Sequence, residues 1–122
     1  MTAITKKIAV VEDNHLSRNL IVDTLLSLAD VEVFPYEDGE TAWKDLSNGH
    51  PADMIIADVN MPRMDGLTLL GKIKGRDAGK PCIIISGNAG YENAARDLGA
   101  DDFLAKPFAI TELLKVVQHI SC

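Results

Sequence analysis

Three carboxylates, a hydroxyl and an ammonium hold one kind of position in this sequence: each closes or follows a short apolar run. Glu12 and Asp13 follow Ile8-Ala9-Val10-Val11, and Asp58 follows Met54-Ile55-Ile56-Ala57. Ser86 ends the run from Pro81, and Lys106 comes after Asp102-Phe103-Leu104-Ala105. Runs that are continuously apolar fit strands of a parallel sheet buried on both faces. In open α/β sheets, ligands bind outside the carboxyl ends of the strands, so these five side chains are expected around one rim. Carboxylates gathered there repel: unit charges a few ångström apart cost each other on the order of 4 kcal/mol at an effective dielectric of ~20. A divalent cation removes that penalty, and hard oxygen donors with room for water suit Mg²⁺ (or Mn²⁺). A carboxylate, a metal, an ammonium and a hydroxyl around one point suit a phosphoryl group carried on Asp58. Asp serves as a nucleophile in phosphoryl transfer, and the surrounding groups stabilise charge on the equatorial oxygens.

The segments between these runs must place them. Asn14 is expected to cap a first helix whose Leu16, Leu20, Ile21, Leu25 and Leu28 face a sheet. Val31-Glu32-Val33-Phe34 alternates, as an edge strand does. Asp38-Gly39 opens a second helix with Ala42, Trp43 and Leu46 inward, closing near Asn48-Gly49. Pro62 and the Asp65-Gly66 turn lead into a third helix, to about Lys74, resting on Leu67, Leu70 and Ile73. A Gly87–Gly90 loop precedes a fourth, with Tyr91, Ala94, Ala95 and Leu98 inward and Gly99 as its stop. The last helix shows Ile110, Leu113, Leu114, Val117 and Ile120 on one face. Five strands alternating with five helices imply right-handed crossovers and an α/β fold with helices on both sides of a parallel sheet.

Composition removes several alternatives. At 122 residues the chain is one domain, with 47% hydrophobic and 25% charged residues, ordinary for a globular protein. A net charge of −6 and a pI near 4.9, with no basic cluster, argue against direct nucleic-acid binding. No apolar run reaches the ~18 residues of a membrane span, and Met1–Lys7 does not lead into a signal-peptide core. Those features fit a cytoplasmic chain. Two cysteines without CxxC spacing make neither a disulfide framework nor a zinc site; Cys82 reads as a buried small hydrophobe and Cys122 as a frayed end.

The motifs Val10-Val11-Glu12-Asp13-Asn14, Asp58-Val-Asn-Met-Pro-Arg-Met-Asp-Gly66, Ile85-Ser86-Gly87 and Gly99-Ala-Asp-Asp-Phe-Leu-Ala-Lys106-Pro107 are each weak alone. Together, in order and at this spacing, they resemble the receiver domains of two-component response regulators, over about residues 6–120. The resemblance implies a flavodoxin-like fold with strand order 2-1-3-4-5. It implies that Asp58 takes a phosphoryl group from phosphohistidine on a sensor histidine kinase or a histidine phosphotransfer protein. It implies Mg²⁺ held by Glu12, Asp13, Asp58 and the backbone carbonyl of Asn60, with Ser86 and Lys106 on the phosphoryl oxygens. Phe103 matches an aromatic switch that turns inward as Ser86 moves, and Lys106-Pro107 is expected to be cis. Asn60 and Asn88 match positions that tune the lifetime of the acyl phosphate. The chain is expected to act as a monomer or weak dimer on a downstream protein target. A phosphorelay intermediate, or a receiver within a larger regulator or hybrid kinase, is the alternative.

Plainer readings stand beside these. Asp13, Ser86 and Lys106 could each be turn or surface residues, and loop asparagines such as Asn60 and Asn88 are usually turn formers. His15 reads as an exposed first-turn residue, His50 as a loop residue and His119 as a cation suited to a helix C-terminus. Phe103 stands where Tyr is frequent, so its switching rests on packing. Ala109 occupies a cap position, with Glu112 as the surviving half of a capping box. A phosphatase of the haloacid-dehalogenase type needs a second Asp where Asn60 stands, and a nucleotide or flavin binder would not place Glu12-Asp13 against phosphate. A receiver that only docks, without being phosphorylated, usually lacks one of the acidic, acceptor, hydroxyl or lysine positions, all present here.

Overall fold

The computed structural model describes residues 5–121. Every apolar run is a strand: β1 (Lys6–Val11), β2 (Val31–Tyr36), β3 (Met54–Asp58), β4 (Cys82–Ser86) and β5 (Asp102–Ala105). They pair in parallel in the order β2-β1-β3-β4-β5, as the resemblance implied. Between and after them run α1 (His15–Leu26), α2 (Gly39–Ser47), α3 (Gly66–Arg76), α4 (Glu92–Asp97) and α5 (Ile110–Ser121). A 3-10 turn at Ala89–Tyr91 leads into α4.

Alternate residues of each central strand face opposite sides, giving two cores. Ile8, Val10, Met54, Ile56, Ile83 and Ile85 pack with Ile21 and Leu25 of α1 and Leu113 and Val117 of α5. Ala9, Val11, Ile55, Ala57 and Ile84 pack with Ala42 of α2, Leu69, Leu70 and Ile73 of α3, and Ala95 of α4. Strands β3 and β4 are buried along their whole length, which is why their sequences lack alternation. Strand β2 lies at the edge, where Pro35 is tolerated. Cys82 sits in this core, its thiol pushed up to about 12 by burial. Cys122 lies outside the described residues.

Helix entries follow the expected caps. Asn14, Asp38 and Asp65 accept from the backbone N–H three residues on, at 2.9, 2.7 and 2.7 Å. At α5 only half a box forms: the Ala109 N–H donates to Glu112 Oε1 at 3.0 Å, and no side chain returns the bond. Gly99 closes α4 with φ +101°, a conformation that favours glycine.

The helix faces need correction. Leu16 is 79% and Leu20 50% exposed, while Ile21 and Leu25 are buried. At about 100° per residue, Leu16 and Leu20 form one stripe, and Ile21 and Leu25, each five positions on, form another about 140° away; the sheet accepts only the second. In α4 and its flanks, Ala94 and Leu98 are exposed as well, while Ala95 is buried and Tyr91 partly so. Ile110, at the start of α5, is half exposed. Helix α3 runs two residues past the expected Lys74 to Arg76 and buries Leu69 beside Leu70 and Ile73.

Candidate functional site

Strand register builds the site. Val11 lies opposite Ala57, so the residues that follow, Glu12 and Asp58, leave the sheet side by side. Strand β5 ends level with β4, Ser86 opposite Ala105. The Lys106 N–H donates to the Ser86 carbonyl at 2.7 Å, which aims the next side chain back across the rim. One oxygen from each of Glu12, Asp13 and Asp58 lies within 4.8 Å of the others. Lys106 Nζ donates to Asp58 Oδ2 at 3.0 Å and to Glu12 Oε1. Glu12 is fully buried, Asp58 nearly so, and Asp13 is open to solvent. Lys106-Pro107 is cis, as expected.

One ammonium faces three carboxylates, and the electrostatics record the imbalance. Burial pushes the Glu12 carboxyl up to about 7; the Asp58 carboxylate adds to that, while Lys106 and the Asn14 N–H oppose it. Burial alone would lower Lys106, but Glu12 and Asp58 hold its ammonium above the ordinary lysine range. A group of hard oxygen donors with residual negative charge and one solvent-facing member, Asp13, fits a divalent cation that keeps water ligands. The residues present therefore fit Mg²⁺.

Ser86 is fully buried at the end of β4, its Oγ accepting from the Asn88 N–H at 3.0 Å. Phe103 is packed inward with the α2–α3–α4 core. Asn60 is exposed two residues beyond Asp58. Asn88 is exposed too, and its Oδ1 accepts from the Gly90 N–H at 2.8 Å, so it builds the turn before α4. His15 is exposed and bonds only within α1, to Arg18 and Asn19. His50 packs edge-on against Phe34, with centroids 4.5 Å apart, and precedes β3, at the opposite end of that strand from the rim.

Sequence reasoning missed three features. Arg18 Nη1 donates to the Glu12 carbonyl at 2.9 Å, holding the end of β1 from the helix side. Arg63, with φ +67°, pairs with buried Asp38. Gly66 presses on the acceptor strand: a Cβ there would overlap the Asp58 carbonyl. Asp65-Gly66 signalled a turn, but the backbone contact that requires glycine is long-range and leaves no local trace.

A doubly wound parallel sheet with an acidic rim facing a lysine marks the class of phosphoryl-handling α/β modules. A family model for the response regulator receiver domain matches residues 8–118, and the chain belongs to that family. It is thus a receiver domain of two-component response regulators. A probable chemotaxis protein CheY of Rhizobium etli is 30% identical over 118 residues, covering 93% of this chain and 91% of that protein. The regulatory protein AtoC of Escherichia coli is 32% identical over 121 residues; the match takes 98% of this chain but only 26% of AtoC. Among solved structures, the response regulator TrrA of Thermotoga maritima in complex with Mg²⁺-BeF superposes with a TM-score of 0.87. It shares 28% identity, over 95% of this chain and 99% of that one. The chemotaxis regulator CheY4 of Vibrio cholerae gives 0.85 at 28% identity, over 95% and 98%. No helix among the described residues is long and apolar enough to cross a membrane.

Proposed function

We propose that Asp58 is the phosphoryl acceptor of a signalling switch and that the donor is a phosphohistidine on a sensor histidine kinase or a histidine phosphotransfer protein. The observation that carries this is the Lys106–Asp58 pair at 3.0 Å inside a cluster of three carboxylates. In the transfer an Asp58 oxygen attacks phosphorus, the P–N bond breaks, and its electron pair stays on the imidazole of the donor. Glu12, Asp13, Asp58 and the Asn60 carbonyl hold Mg²⁺, which when bound screens the anionic oxygens. Lys106 then pairs with a phosphoryl oxygen, and Ser86, released from the Asn88 N–H, donates to another. On this reading Asn60 and Asn88 tune how water reaches the acyl phosphate, and hence the slow autodephosphorylation.

The new charge, about −1.5 to −2, draws Ser86 and Lys106 inward and shifts a pre-existing equilibrium at α4, β5 and α5, with Phe103 as the packing element. The output is contact with a downstream protein, by a single cytoplasmic domain spanning 1–122, monomeric or weakly dimeric. Service as a phosphorelay intermediate, or as the receiver of a larger regulator or hybrid kinase, uses the same chemistry. The spread of relatives, from 91% to 26% covered, accommodates each. The test is intact-protein mass after incubation with acetyl phosphate and Mg²⁺. One added phosphoryl group on the wild type, absent from Asp58→Asn, is expected; labelling of the variant at the normal rate would remove Asp58 as acceptor.

A further inference from the structure

The loop that leaves Asp58, Val59 to Asp65, begins on the Val59 N–H, which donates to the Ile85 carbonyl of β4 at 3.0 Å, and is pinned further along. At its base the Gly66 N–H donates to the Val59 carbonyl at 2.9 Å, and Gly66 abuts the Asp58 backbone. At its tip Gly39, the first residue of α2, touches Met64 so closely that a Cβ would overlap the Met64 carbonyl oxygen. Beside that contact the Arg63 guanidinium bonds the Asp38 carboxylate. Asp38 is 2% exposed and also takes the Thr41 N–H and hydroxyl, so its position is fixed from its own helix. Arg63 holds φ +67°, which an arginine keeps only where its surroundings impose it. On the far side of Asp38, the end of β2 is tied to the acidic rim, for the Glu12 N–H donates to the Tyr36 carbonyl at 3.0 Å.

We propose that Arg63 is a positioning residue: through Asp38 it fixes the loop carrying the Asn60 carbonyl relative to Glu12 and Asp13, and so presets the geometry for the divalent cation. This rests on the reading of the acidic rim as a Mg²⁺ site. The pair closes a circuit of β1 end, β2 end, α2 start and acceptor loop, which begins at Glu12 and returns to Asp58. The three carboxylates, two just past β1 and one closing β3, already stand together through sheet register. Strand pairing ends with the Val59 N–H, so the Asn60 carbonyl, one residue on, depends on the pin.

The sign of one measurement separates this role from a field effect. Removing the Arg63 cation makes the neighbourhood more negative, so electrostatics alone would tighten Mg²⁺ binding. Loss of the pin weakens it instead, by ~10-fold, the scale of outer-shell positioning. The experiment is an NMR titration of the whole chain with MgCl₂ for wild type, Arg63→Met, Arg63→Lys, Asp38→Asn and the double variant Asp38→Asn/Arg63→Met. Asn caps helices as well as Asp, so Asp38→Asn keeps α2 while weakening the pair. Weaker binding in Arg63→Met, partial recovery in Arg63→Lys, and a double variant no worse than its weaker parent are expected. Equal or tighter binding in folded Arg63→Met, or additive losses in the double variant, would overturn the proposal. If the wild type itself fails to bind Mg²⁺, the reading of the rim fails rather than the pin.

Discussion

Glu12 is the residue at which the cost of the site is most visible. It is fully buried beside Asp58, and its carboxyl is raised to about 7 from an ordinary 4.5. A carboxyl whose folded pKa lies above its unfolded value binds its proton more tightly when folded, so stability is lost as pH rises from the unfolded value through the folded one. Chelator-treated protein should therefore be more stable to urea at pH 5 than at pH 8, through this group. Added Mg²⁺ should restore stability at pH 8 more than at pH 5, because the cation takes the place of the proton. Urea melts at the two pH values, with and without Mg²⁺, measure both effects; a Mg²⁺ gain larger at pH 5 would contradict this account of Glu12. Asp38 works in the opposite sense. Burial opposes its ionisation, but the Thr41 N–H and Arg63 outweigh that and hold it below the usual carboxylate range. Its contribution is present above the unfolded carboxylate pKa and fades as pH falls through the lower folded one.

At the scale of elements, caps and close contacts set the predictions. Helix α5 starts with half a capping box, so Ala109→Ser should supply the missing acceptor and stabilise by ~0.5–2 kcal/mol in urea melts. A variant no more stable than wild type would show that the Ser hydroxyl adds nothing to the bond the Glu112 N–H already makes to the residue 109 carbonyl, at 3.0 Å. Gly66→Ala should destabilise by about 1–3 kcal/mol, since the new methyl meets backbone rather than a yielding side chain; an unchanged melting midpoint would mean the loop relaxes freely. Strand positions were legible in the sequence because a fully buried parallel strand needs only a short apolar run with a polar stop. Helix faces were less so. In α1 the leucines at 16 and 20 and the apolar pair at 21 and 25 satisfy the same 3-and-4 spacing, and only the sheet beneath decides which stripe is covered. The Arg63–Asp38 pair was invisible for a different reason: 25 residues separate partners that meet only once β1 and β3 are neighbours.

For the whole molecule, topology converts scattered residues into a site. The order β2-β1-β3-β4-β5 makes β1 and β3 adjacent, which brings Glu12 and Asp13 to Asp58 from 45 or more positions away. It then sets β4 and β5 beside them with Ser86 and Lys106 at matching ends. That convergence was readable in advance, because all five residues share one place relative to their strands. The local electrostatic imbalance was readable only in kind; the structure adds that Lys106 pairs with two of the carboxylates and leaves Asp13 facing solvent. A chain of net charge −6 that gathers three carboxylates at one rim, with a lysine against them, presents an oxygen-donor set consistent with a receiver-domain Mg²⁺ site. The direct test is a Mg²⁺ titration followed by nuclear resonance shifts in wild type and Asp13→Asn. Saturable binding in the millimolar range, with shifts centred on residues 12, 13, 58 and 106 and lost in the variant, is the expected result. No saturable shifts in the wild type, or the same binding without Asp13, would contradict the account.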